Sequence, residues 1–128
     1  MIMLLDTATP QCRLTLIDED NRHEETWQAD RMLANGILLY IDKNLRQVGK
    51  TWQDLRGIGV YEGPGSFTGL RIGLTVLNTI ADSQHVPIVG GRGDNWQDDV
   101  LTRLQNGEND HIVMPFYGSE PHITVPRK

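Results

Sequence analysis

Gly63-Pro64-Gly65-Ser66-Phe67-Thr68-Gly69-Leu70-Arg71-Ile72-Gly73 constrains the fold more than any other stretch of this chain. An apolar run, Arg56–Tyr61, precedes it, and apolar residues at helical spacing follow to about Ser83. The glycines therefore sit at a strand-to-helix turn. Residues without a Cβ allow tight backbone geometry there, and free N–H groups at a helix start can hold an anion. The spacing excludes the common nucleotide loops. No lysine stands where a Walker loop needs one, and Gly63, Gly65 and Gly69 are one residue too widely spaced for a dinucleotide fingerprint. Ser66 lacks the frame of a nucleophile elbow. The pattern favours a structural turn with Ser66 as the helix N-cap. Gly65, Gly69 and Gly73 recur every four residues, a smooth strip that admits close backbone approach by another element.

The rest of the chain supplies elements around this turn. Ile2–Leu5 is an apolar run without alternation, which predicts a buried strand. Asp6-Thr7-Ala8-Thr9-Pro10 breaks it. Cys12–Ile17 alternates, and Arg22–Trp27 returns as a third, more exposed strand after the polar turn at Asp18–Asn21. From Asp30 to Val48 the period becomes helical, with Asp30 as N-cap and Gly49 as the C′ residue. Thr51 caps one more short turn before the Arg56–Tyr61 strand, and Val86–Val89 is a further strand after the second helix. The order β-β-β-α-β-α-β, with right-handed crossovers, predicts a mixed five-stranded α/β sheet with both helices on one face. Beyond Gly91, Trp96–Leu104 suggests a short helix, and Ile112–Tyr117 and His122–Val125 suggest short strands interrupted by prolines.

Composition narrows the functional classes. The chain has 128 residues, 38% hydrophobic and 23% charged, a balance that fits one folded domain. A formal net charge of −5 gives no electrostatic footprint for a phosphate backbone. The single cysteine, Cys12, excludes an internal disulfide and reads as a buried strand residue in a reducing, cytoplasmic protein. The short apolar start lacks the basic and apolar regions of a signal peptide, and no apolar run reaches transmembrane length. His23, His85, His111 and His122 show no metal-ligand spacing. Asp98 and Asp99 diverge on a helix, and Trp27, Trp52 and Trp96 read as packing anchors.

The second helix carries apolar residues on two sides: Leu70, Leu74, Leu77 and Ala81 on one, and Ile72, Val76 and Ile80 on another. The first has a similar surplus in Met32 and Leu39. The two helices cover each other, or they present a surface to a partner; the residues alone leave both open.

The Gly63–Gly73 segment resembles the hallmark of the TsaB (YeaZ) family, carried here by Gly63, Pro64, Gly65, Ser66, Phe67, Thr68, Gly69 and Arg71. Leu4-Leu5-Asp6-Thr7-Ala8-Thr9 is similar to that family's first strand and turn. The resemblance covers residues 1–91 and implies one actin-like (ASKHA, RNase H-like) lobe; residues 92–128 would be a short extension, a remnant of or replacement for a second lobe. It further implies a cytoplasmic, non-catalytic scaffold without cofactor or metal. Its partner would be a TsaD-like enzyme that, with a TsaE-like ATPase, transfers a threonylcarbamoyl group to the adenosine beside the tRNA anticodon, so that tRNA is met only indirectly. The family's helix-to-helix association places interface roles on Met32, Leu39, Gly69, Ile72, Gly73, Val76 and Ile80. Asp6 occupies the place of the acidic residue at the first phosphate loop of active enzymes of this fold, which makes it a candidate cofactor contact. Without a following glycine, it reads instead as a cap of the turn. Two features depart from the family: about three dozen residues follow Gly91, which leaves no interlobe cleft, and Gln28-Ala29-Asp30-Arg31 lacks the histidine that often opens the first helix. Alternative functions are a self-associating homodimeric module and a weak nucleotide-binding protein. A peptidase finds no serine-histidine or metal constellation.

Overall fold

The computed structural model describes residues 1–118. Its elements are β1 (Ile2–Asp6), β2 (Gln11–Asp18), β3 (Asn21–Gln28), α1 (Leu33–Gln47), β4 (Gly57–Gly63), α2 (Phe67–Gln84), β5 (Ile88–Arg92) and α3 (Trp96–Gln105). The sheet order is β3-β2-β1-β4-β5. β1, β2 and β3 form an antiparallel meander, while β4 and β5 run parallel to β1. This is the mixed five-stranded α/β sheet that the element order predicts.

Strand alternation decides which side chains meet the helices. Met3, Leu5, Cys12, Leu14, Leu16, Ile58, Val60 and Ile88 form one core with Ile37, Ile41 and Leu45 of α1 and Leu74, Leu77 and Ala81 of α2. Leu4 and Val89 point to the opposite face, where Trp96 and Val100 of α3 cover them. β1 is thus buried on both sides, which is why Ile2–Leu5 shows no alternation. Each such Leu or Ile contributes roughly 1.5–3 kcal/mol when fully buried.

The helix ends follow the sequence except at the start of α1. Asp30, expected as its N-cap, has φ of 49° and lies in a 3-10 turn, Asp30–Met32; α1 begins at Leu33, with Met32 making no side-chain cap bond. The chain is pinned before the helix can start, because the N–H groups of Ala29 and Asp30 donate to Pro10 O at 3.0 and 3.2 Å. The Asp30 carboxylate meanwhile accepts from Gln28 Nε2 at 2.8 Å. At the other end, Gly49 has φ of 73°, and the N–H groups of Gly49 and Lys50 close back on Arg46 O and Leu45 O. Thr51 N–H donates to Asp54 Oδ2 at 2.8 Å, as a capped turn requires.

Trp96–Gln105 is helical as expected, whereas Ile112–Tyr117 forms no strand. Asn78 grips the segment instead: its Nδ2 donates to Val113 O at 3.0 Å and its Oδ1 accepts Val113 N–H at 2.9 Å. Phe116 N–H donates to Glu62 O at 2.7 Å, and Val113 is buried. With backbone groups spent on α2 and β4, and Pro115 lacking a donor, no ladder forms. The strand expected at His122–Val125 lies outside the described residues. Among the described residues no helix is long and apolar enough to cross a membrane.

Candidate partner surface

The glycine strip is occupied from within the chain. A Cβ on Gly65 would lie 2.4 Å from Ala8 Cβ, one on Gly69 2.3 Å from Thr7 O, and one on Gly73 2.2 Å from Thr7 Oγ1. The element that approaches the strip is therefore the β1–β2 turn. Buried Thr7 donates its hydroxyl to Gly69 O at 2.7 Å, and Ser66 N–H donates to Ala8 O at 2.7 Å. Ser66 caps α2, its Oγ accepting Gly69 N–H at 3.2 Å. The open sides of Gly69 and Gly73, both expected to meet a partner, are thus filled by Thr7.

Asp6 stands at the head of β1 beside this loop. Its Oδ1 accepts Ala8 N–H at 2.8 Å, closing the turn. Burial raises its carboxyl above the usual carboxylate range, opposed by the Ala8 bond and the charge of Arg13. Cys12 is buried in the α1/α2 core, its thiol pushed up to about 12 by burial and then by the Asp6 charge, so it is a packing residue and a poor nucleophile. Among the described residues, no three His, Cys, Asp or Glu side chains converge as metal ligands. His23 is tied to Asn44 Oδ1 at 2.8 Å. The tryptophans are packing anchors: Trp27 stacks on Tyr40, Trp52 Nε1 donates to Asp42, and Trp96 is buried under α3.

The apolar surplus has a different fate on each helix. On α1, Leu39 is 73% exposed and Met32, just before the helix, 57%. Leu38, which the periodicity does not single out, is 55% exposed. Ala34 lines a shallow groove with Thr68, Arg71, Ile72, Thr75 and Val76 of α2; Leu38, one turn further on, continues that side of α1. On α2, Ile72 and Val76 are half-buried and lean on the core, while Gly73 and Ile80 are buried. Phe67 is exposed and stacks on Tyr117 with centroids 4.8 Å apart. The Arg71 guanidinium lies 5.2 Å from the Phe67 centroid, and Arg71 forms no ion pair among the described residues. The surface is an apolar groove between the two helices, bordered by an aromatic-supported cation. Nothing in it resembles a reacting centre; its chemistry suits contact with another apolar face.

The lobe and this surface have counterparts in known proteins. Residues 27–90, half of the chain, match the family described as TsaD: tRNA N6-adenosine threonylcarbamoyltransferase. The chain is 29% identical over 89 residues to the tRNA threonylcarbamoyladenosine biosynthesis protein TsaB of Escherichia coli, covering 70% of this chain and 38% of that protein. It is 40% identical over 62 residues to the tRNA N6-adenosine threonylcarbamoyltransferase of Listeria monocytogenes, covering 48% of this chain and 18% of that one. Among solved structures, YeaZ from Pseudomonas aeruginosa matches with a TM-score of 0.68 and 26% identity over 71% of this chain and 43% of that chain. The chain spans less than half the length of each of these relatives.

Proposed function

We infer the function from kinship as premise: the chain belongs to the TsaB/YeaZ family, within the broader family described as tRNA N6-adenosine threonylcarbamoyltransferase. It serves tRNA threonylcarbamoyladenosine biosynthesis as a non-catalytic scaffold. The α1/α2 face binds a TsaD-like threonylcarbamoyltransferase, with a TsaE-like ATPase joining the assembly and tRNA held by the partners.

The observation that carries this reading is the exposed row of Met32, Leu38 and Leu39 beside half-buried Ile72 and Val76. Leaving three large apolar side chains in water forgoes roughly 25 cal/mol for each Å² that a partner would cover. The loop that holds phosphate in related architectures is, here, packed tightly on its own β1–β2 turn through Thr7 and Ala8, which supports a structural use of the motif.

The test is co-purification of this chain with the TsaD homologue of its own source. Leu38→Arg and Leu39→Arg each put a charge on the face without touching the core, so both variants fold as the wild type by circular dichroism. Leu38→Arg, on the groove side, is expected to weaken capture by about tenfold or more, equivalent to about 1.4 kcal/mol or more. A wild-type chain that captures no TsaD homologue, or a folded Leu38→Arg that captures it unchanged, would overturn the reading.

A further inference from the structure

We propose that this α2 face also pairs with a second copy of this chain, antiparallel and centred near Val76, so that Arg71 of each subunit meets Asp82 of the other. The proposal rests on the reading of this face as a docking surface, and it names an occupant from the charge pattern. Arg71 and Asp82 are both exposed and stand about three helical turns apart, so they lie on the same flank of α2. Neither forms an ion pair among the described residues.

Helices that pair antiparallel across a twofold axis bring like flanks together, each running opposite to the other. Val76 lies almost midway between Arg71 and Asp82. An axis there sets the cation of one subunit against the carboxylate of its copy, and symmetry makes the pair twice. Between these pairs, Thr75 of one helix faces Thr79 of the other, and Ile72 and Val76 fill the side toward α1. Parallel pairing would instead set Arg71 against Arg71 and Asp82 against Asp82. The Phe67 ring beneath Arg71 holds the guanidinium in place, which lowers the entropy lost on pairing. Asn78, on the same flank between the two charges, is already committed to Val113, so it competes for neither.

The surface is small and its centre is partly hydroxyl, so the dimer is weak and forms with rising concentration. The experiment is sedimentation equilibrium of the chain alone, wild type against Arg71→Asp, Asp82→Arg and the double variant carrying both changes. Each single variant turns two attractions into two repulsions and is expected to weaken self-association about tenfold. The double variant restores both pairs and is expected to return to within about twofold of wild type. Asp82→Arg leaves the Arg71–Phe67 contact intact, so its loss of affinity reads the cross-subunit pair alone. A wild-type chain that stays monomeric at all concentrations, single variants that associate unchanged, or a double variant that does not recover would each overturn the proposal. Capture of the TsaD homologue, measured separately, separates the two readings: self-association that follows the charge swap without any capture sustains the dimer and removes only the heterodimer.

Discussion

Gly69→Ala is expected to lower the stability of the lobe by about 3 kcal/mol, the upper range for an overpacked interior site. The added methyl would lie 2.3 Å from Thr7 O, a backbone atom fixed in the β1–β2 turn. A flexible side chain could swing away from the methyl; a carbonyl in a tight turn moves only with its strand. That movement also strains the Thr7 hydroxyl bond to Gly69 O and the Ser66 bond to Ala8 O, which hold α2 against β1. Gly49→Ala is the control. Gly49 has φ of 73°, and a methyl added there would meet no atom within 4 Å, so only backbone strain is added, about 1 kcal/mol. Urea unfolding should show both variants with unchanged slope and shifted midpoint, with Gly69→Ala shifted about three times as far. Equal shifts would mean that the turn yields freely and that the glycine strip is not a packing device.

The sheet and its order were legible because each strand shows its burial in its period. Cys12, Leu14 and Leu16 alternate against one core, and Ile2–Leu5 does not alternate because it serves two. Ser66 and Gly49 were legible as caps because their roles depend on their own chemistry. The start of α1 was not. Asp30 has the composition of an N-cap, but a tertiary bond from its N–H to Pro10 O, twenty residues earlier in the chain, holds its backbone elsewhere. The glycine strip announced a close approach without saying by what; Thr7, Ala8 and the strip are brought together only by the parallel pairing of β1 with β4. On the candidate surface, Met32 and Leu39 stood out as surplus. Leu38 was hidden in the continuous run Ile37-Leu38-Leu39-Tyr40-Ile41, where no period separates inner from outer residues. Ile80 shares a stripe with Ile72 and Val76 by spacing, yet it is buried, because a stripe that borders the core is covered or left open by the neighbouring packing.

Arg103→Ala is expected to cost about 2–3 kcal/mol and to weaken the acid response of the lobe, because Arg103 completes the edge of the sheet. β5 ends the strand order, so its outer N–H and C=O groups need partners other than a strand. Side chains and turns supply them: Ile88 N–H donates to Asn109 Oδ1 at 3.1 Å, Gly90 N–H to Asp110 Oδ2 at 3.0 Å, and Arg103 Nη1 to Gly90 O at 3.0 Å. Arg103 also grips Asp110 with both ends of its fork and pairs with Glu108. Removing it leaves Gly90 O without that donor and Asp110 without its counter-charge, and a buried group left unpaired costs about 1–3 kcal/mol. The hydrogen bonds from Arg103, more than any other cause, hold the Asp110 carboxyl below its ordinary value. A carboxyl depressed in the folded state stabilises fully above its unfolded value, near 3.8, and that stability is lost as pH falls through the folded one. The wild type should therefore lose stability on acidification below about pH 4, and Arg103→Ala, already weaker at neutral pH, should lose less over the same range. Thermal unfolding midpoints of the two proteins measured from about pH 7 to about pH 3 check both parts: curves that converge toward acid support the edge clamp, and parallel curves would assign the acid sensitivity to other carboxylates.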